Sequence, residues 1–173
     1  MRELNLEQLK KGMLGFSPGI GTFLYEALVF CLVECGHKSG VRLNVFGEIN
    51  ENLLLVWNEE IGMQSENYWQ NQRMATEHGA VAISILILKE LLSYEVVRTM
   101  EIGTGVDYLM KDNSTNKESL LEVSGVWEEN IGNTINVRVN RKIKQTEKSR
   151  DENKDIFISV VEFKSPKAKI TKI

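Results

Sequence analysis

The spacing of apolar residues along this chain changes several times, and each change marks an element. Over residues 1–14, Leu4, Leu6, Leu9 and Met13 fall partly in helical register, which predicts a short amphipathic helix. Ser17-Pro18-Gly19-Ile20-Gly21 breaks that pattern, and Thr22 is the expected N-cap of a helix over 22–37. Phe23, Leu24, Ala27, Leu28, Val29, Phe30, Leu32 and Val33 make this second helix apolar nearly all round, the mark of a central core helix. Period-2 alternation then takes over. Val41, Leu43 and Val45 alternate with Arg42 and Asn44, and a short polar connection leads to a second strand over 53–57, so a hairpin is expected.

A long helix over 65–93 follows, polar in its first half and strongly apolar from Ala80 to Leu92. Strands are predicted over 94–99, 102–110 and 120–126. Residues 134–145 fit two periods. Ile135, Val137 and Val139 alternate as in a strand, whereas Ile135, Val139 and Ile143 repeat as on a helix face. The helix-forming composition of residues 141–148 favours a helix over 134–147. A strand over 156–163 ends the ordered pattern, with Pro166 and a basic tail trailing after it.

The predicted fold class is therefore α/β, in one compact domain. Residues 1–64 form an N-terminal helical and hairpin elaboration, packed on a core over 65–173. The 173 residues, 42% hydrophobic and 26% charged, are enough for a sizeable core without disulfide or metal staples. Two cysteines make no disulfide framework, and Cys31 and Cys35 are expected as buried free thiols. No leader-like segment opens the chain and no apolar run is long enough to span a bilayer, so the expected setting is the cytoplasm, with no membrane partner.

Charge alters this picture. Net charge is −3, yet residues 138–173 hold 11 Lys and Arg against 5 Asp and Glu. A basic C-terminal third permits contact with nucleic acid. Within the predicted helix over 134–147, Arg138, Arg141, Lys142 and Gln145 fall at i, i+3, i+4 and i+7, a single stripe. The alternative for that stripe is a solvated polar face. On the strand over 120–126, Leu120, Glu122 and Ser124 share one side, while Leu121, Val123 and Gly125 share the other. A carboxylate between Leu121 and Val123 is expensive as buried filler unless something partners it.

The order of elements from residue 65 onward, αβββαβ, resembles the PD-(D/E)xK, or restriction-endonuclease-like, nuclease superfamily. The residues that carry the resemblance are Asp107 in Gly105-Val106-Asp107-Tyr108, Glu122 and Ser124 in Leu121-Glu122-Val123-Ser124, and Glu77 in Thr76-Glu77-His78. The resemblance implies that Asp107 and Glu122, with Glu77 assisting, bind Mg²⁺, and that DNA phosphodiesters are the substrate. Ser124 departs from the family pattern, which has a lysine there. The resemblance implies that Lys142 supplies this group from the following helix, with Arg138, Arg141 and Lys144 contacting nucleic acid. Two further functions stay open. The domain could be a catalytically inactive member of the same fold, acting as a binding or assembly subunit in a defence or mobile-element system. It could also be an α/β interaction protein outside the family. For the inactive subunit, the N-terminal half is the expected surface for a homodimer or a partner protein.

Overall fold

The computed structural model describes residues 1–58, 61–150 and 153–173. Its centre is an eight-stranded mixed sheet, with helices on both faces. In chain order the strands are β1 (Arg2–Asn5), β2 (Val41–Gly47), β3 (Glu51–Val56), β4 (Tyr94–Thr99), β5 (Tyr108–Asp112), β6 (Glu118–Val126), β7 (Asp155–Glu162) and β8 (Lys167–Lys172). Across the sheet they lie in the order β1-β3-β2-β8-β7-β6-β5-β4. The α-helices are α1 (Pro18–Glu34), α2 (Met63–Tyr68), α3 (Gln72–Leu92) and α4 (Ile135–Thr146).

α1 and α3 pack against each other and cover one face, where Leu121, Val123, Phe157 and Val161 meet them in the larger apolar core. α4 covers the opposite face over Leu120, Val126, Ile156, Ile158 and Val160, which form a second core with Ile135 and Val139. β6 and β7 run parallel and are joined through α4, the crossover that parallel neighbours need. With helices on both sides, β7 is buried almost throughout. The hydroxyls of Ser84 on α3 and Ser159 on β7, both fully buried, satisfy each other at 2.6 Å.

Several expectations give way to tertiary context. Residues 1–14 do not form an amphipathic helix. Arg2–Asn5 is a strand parallel to β3, and Leu6–Lys11 is a 3₁₀ helix capped by the Asn5 side chain. Leu4, Leu6 and Leu9 are all buried, but they enter the core from a strand and a 3₁₀ turn and not from one helical stripe. α1 begins at Pro18 with Ser17 as N-cap, because proline suits the first helical position and the Ser17 hydroxyl accepts from Ile20 N. Thr22 instead donates to Pro18 O inside the helix.

The long helix divides at Trp69–Asn71. Trp69 turns inward to stack on Phe23, 4.7 Å between ring centroids, and Asn71 caps α3. The strand expected over 102–110 starts only at Tyr108, since Gly103 and Gly105 take φ of +95° and +88° and form a loop. The basic tail does not trail off. Lys167–Lys172 inserts as β8 between β2 and β7, with Ala168 and Ile170 in the core.

Candidate functional site

The site lies where β5 stops and β6 continues. Tyr108 pairs with Leu121, so Asp107, just before the strand, stands across from Glu122 on β6. Backbone bonding holds it there. Asp107 N donates to Leu121 O at 2.8 Å, and Asp107 Oδ2 accepts from Val123 N at 2.8 Å. The side chain thereby satisfies a backbone donor that a longer β5 would have taken.

Glu122 points to the α4 side, with Leu120, Ser124 and Val126, and is 1% exposed. Two groups from α4 reach it. Lys142 Nζ donates to Glu122 Oε1, and Gln145 Nε2 donates to the same oxygen at 2.9 Å. Of the stripe, Lys142 turns inward and Gln145 reaches the same oxygen from an exposed position, while Arg141 stays in solvent. Oε2 of Glu122 is buried and accepts nothing. Burial, and then the negative charge of Asp107, push the Glu122 carboxyl up to about 7, with Lys142 opposing. Asp107 lies beside this carboxyl, within reach of a side-chain hydrogen bond to it. A shared proton or a cation would fill that position. Two carboxylates would suit a hard, oxygen-seeking ion such as Mg²⁺.

A cleft of 400 Å³ opens beside Asp107, walled by Arg73, Glu77, His78 and Val81 of α3 and by Arg138 and Lys142 of α4, while Glu122 is buried behind Lys142 and does not line it. A neighbouring hollow continues past Ser124 and Gly125 to Trp127 and Asn133. Gly125 brings α3 close: a Cβ at that position would run into Thr76 O, so only glycine allows this approach. Gly105 plays the same part for the loop before Asp107, where a Cβ would stand 2.6 Å from Gln145 O.

Glu77 is exposed on the rim and pairs with Arg73 at 3.1 Å, rather than joining Asp107 and Glu122. Among the described residues, no three His, Cys, Asp or Glu side chains cluster as a metal site. Arg138 bonds Asn133 Oδ1 at 2.6 Å. Burial, and then the charges of Arg141 and Arg73, lower the pKa of its guanidinium. Ser124 is buried at the cleft wall, whereas Arg141 and Lys144 face solvent. His78 packs on Phe23 and Trp69, and desolvation keeps its pKa below the usual value.

Arg73, four residues before Glu77 on the same helix, is an ion-pair partner that helical spacing in the sequence makes legible. Cys31 and Cys35 are free and buried, with burial pushing Cys35 up to about 11, so they have no part here. No helix is long and apolar enough among the described residues to cross a membrane. The chain matches no family model, no curated protein and no solved structure.

Proposed function

We propose that this chain is a metal-dependent nuclease that hydrolyses DNA phosphodiesters, with α3 to β7 forming a restriction-endonuclease-like core of the PD-(D/E)xK type. The observation that carries the reading is the Lys142 ammonium seated on a buried carboxylate, Glu122, that also faces Asp107. Asp107 and Glu122 would hold Mg²⁺. Such an ion, when bound, polarises a phosphoryl oxygen and lowers the pKa of an attacking water.

The remaining roles belong to the chain. Lys142, reaching in from α4, supplies the positive charge that Ser124 does not. Gln145 fixes the orientation of the Glu122 carboxylate. Arg138, kept charged by its high intrinsic pKa and aimed by Asn133, presents a planar donor fork suited to a phosphate. Glu77 is assigned to steering Arg73 across the cleft.

A second reading is favoured by the small donor set. With two carboxylates at the centre and Glu77 occupied by Arg73, the fold could be an inactive subunit that keeps the architecture for binding or assembly. Incubation of plasmid and oligonucleotide substrates with the protein in Mg²⁺ or Mn²⁺ separates the two. The nuclease reading expects cleavage that disappears in Asp107→Asn. Product no greater than that variant's, together with no Mn²⁺ uptake by the folded protein in calorimetry, would leave the inactive subunit.

A further inference from the structure

Ile102 and Ile131 are the most exposed large apolar residues among those described, at 106% and 104%. Both occupy the second position of a hydrogen-bonded turn. In Glu101–Thr104, Thr104 N and Oγ1 donate to Glu101 O at 3.3 and 2.8 Å, and Gly103 takes the positive φ of the third position. In Asn130–Asn133, Asn133 N donates to Asn130 O at 3.0 Å, and Gly132 N donates to Asn130 Oδ1 at 3.1 Å. Turn apices ordinarily hold polar residues, Gly or Pro. Here two tight turns each lift a stiff, β-branched side chain fully into water.

The two turns bracket α4. The Ile131 turn leads into its N-terminus, where Glu129 Oε1 accepts from Ile135 N at 2.6 Å. The Ile102 turn is tied to the other end by Gly105 against Gln145 O and by Ser149 Oγ donating to Thr104 O. α4 has 12 residues, so it spans roughly 18 Å, about half the repeat of a DNA duplex. From Ile135 to Arg150 the chain carries six Lys or Arg and one acid, Glu147; Lys142 among them turns in to Glu122, Arg141, Lys144 and Lys148 are exposed, and the turns add the exposed acids Glu101 and Glu128.

We propose that α4 and its two flanking turns form a docking surface for double-stranded nucleic acid, on which the basic residues meet phosphates and Ile102 and Ile131 wedge between base steps. The identity of the polyanion rests on the nuclease reading; the surface itself does not. Apolar wedges set in a basic frame are a recurring means of kinking a duplex, and the unstacking they cause is offset by wider contact. Two lone isoleucines at opposite ends of a helix bury too little for a lipid surface to hold them.

The test uses the full chain in EDTA, with a fluorescent duplex of about 20 base pairs and a matching duplex carrying 2-aminopurine. The wild type is expected to bind with salt-dependent affinity and to raise the 2-aminopurine signal. Ile102→Ala/Ile131→Ala should lose about tenfold or more in affinity, the effect of failing to bury an isoleucine, and should abolish the signal. Its Tm and Mn²⁺ affinity should match the wild type. Arg141→Gln/Lys144→Gln should flatten the salt dependence by about two units of slope.

Absence of duplex binding, or duplex binding and unstacking undiminished in the isoleucine variant, would overturn the proposal. So would isoleucine-dependent binding to phosphatidylcholine vesicles carrying phosphatidylserine in place of duplex. Mn²⁺ titration of the same samples reports separately on Asp107 and Glu122, so the docking surface can fail while the nuclease reading stands, and the reverse.

Discussion

Glu122 and Lys142 meet inside the protein: the lysine, on α4, donates to an oxygen of a carboxylate that is 1% exposed on β6. The ammonium offsets part of the cost of burying that acid, but the second carboxylate oxygen is left without a partner. Burial of this carboxyl should make stability depend on pH, and a cation bound beside it would add to that dependence.

Stability should fall as pH rises. Glu122 is held up to about 7, against 4.5 for the ordinary acid, so between those values the folded state binds a proton that the unfolded state has released. In metal-free buffer the urea midpoint should drop from about pH 4.5 to about pH 7, by a stability difference of at most roughly 3 kcal/mol. Glu122→Gln should flatten that slope, and Mn²⁺ should restore stability above pH 7. A Glu122→Gln profile parallel to the wild type would contradict the assignment.

Removing the lysine should matter most when Glu122 is ionised. Lys142→Ala leaves a buried carboxylate with Gln145 as its remaining donor. We expect a loss of about 1–3 kcal/mol at pH 8 and a smaller one at pH 5, where the acid holds a proton. Denaturant unfolding at the two pH values reads the difference.

The close approach of α3 to β6 should be intolerant of a methyl group. Gly125→Ala drives a Cβ into Thr76 O and must push α3 away from the site, costing about 1–3 kcal/mol. Gly62→Ala, where nothing lies within 4 Å, is the control and should stay within about 0.5 kcal/mol. Equal Tm values for the two variants would show that the helix can move at no cost.

The buried serine pair should behave non-additively. Ser84→Ala strands the Ser159 hydroxyl in a dry interface and is expected to cost about 1–3 kcal/mol. Adding Ser159→Ala should recover part of that loss. A double-mutant cycle by urea unfolding measures the coupling, and strict additivity would argue against a hydroxyl–hydroxyl bond.

Removal of residues 167–173 should abolish cooperative unfolding. β8 bridges β2 and β7, so without it the sheet loses its middle strand and Ala168 and Ile170 leave the core. Circular dichroism during thermal unfolding tests this, and a sharp transition in the truncated chain would mean that the two halves close up without β8.

Local periodicity alone identified the α/β class, the β2–β3 hairpin, the apolar second half of α3, and the shared face of Glu122 and Ser124 on β6. These features depend on which side of one element a residue occupies, and spacing records that. For α4 the spacing fitted two periods, and the helix-forming composition of residues 141–148 decided between them. What spacing could not record was which element lies across from which. Asp107 faces Glu122 through the register of β5 on β6, and Lys142 reaches Glu122 through the seating of α4 on the sheet. The alternation of Lys167, Ala168, Lys169 and Ile170 was present in the chain, but its lysines read as a solvated tail until β2 and β7 supplied partners on both sides. Pairing across a sheet is a contact between distant segments, so its free energy comes from burial that no single segment contains.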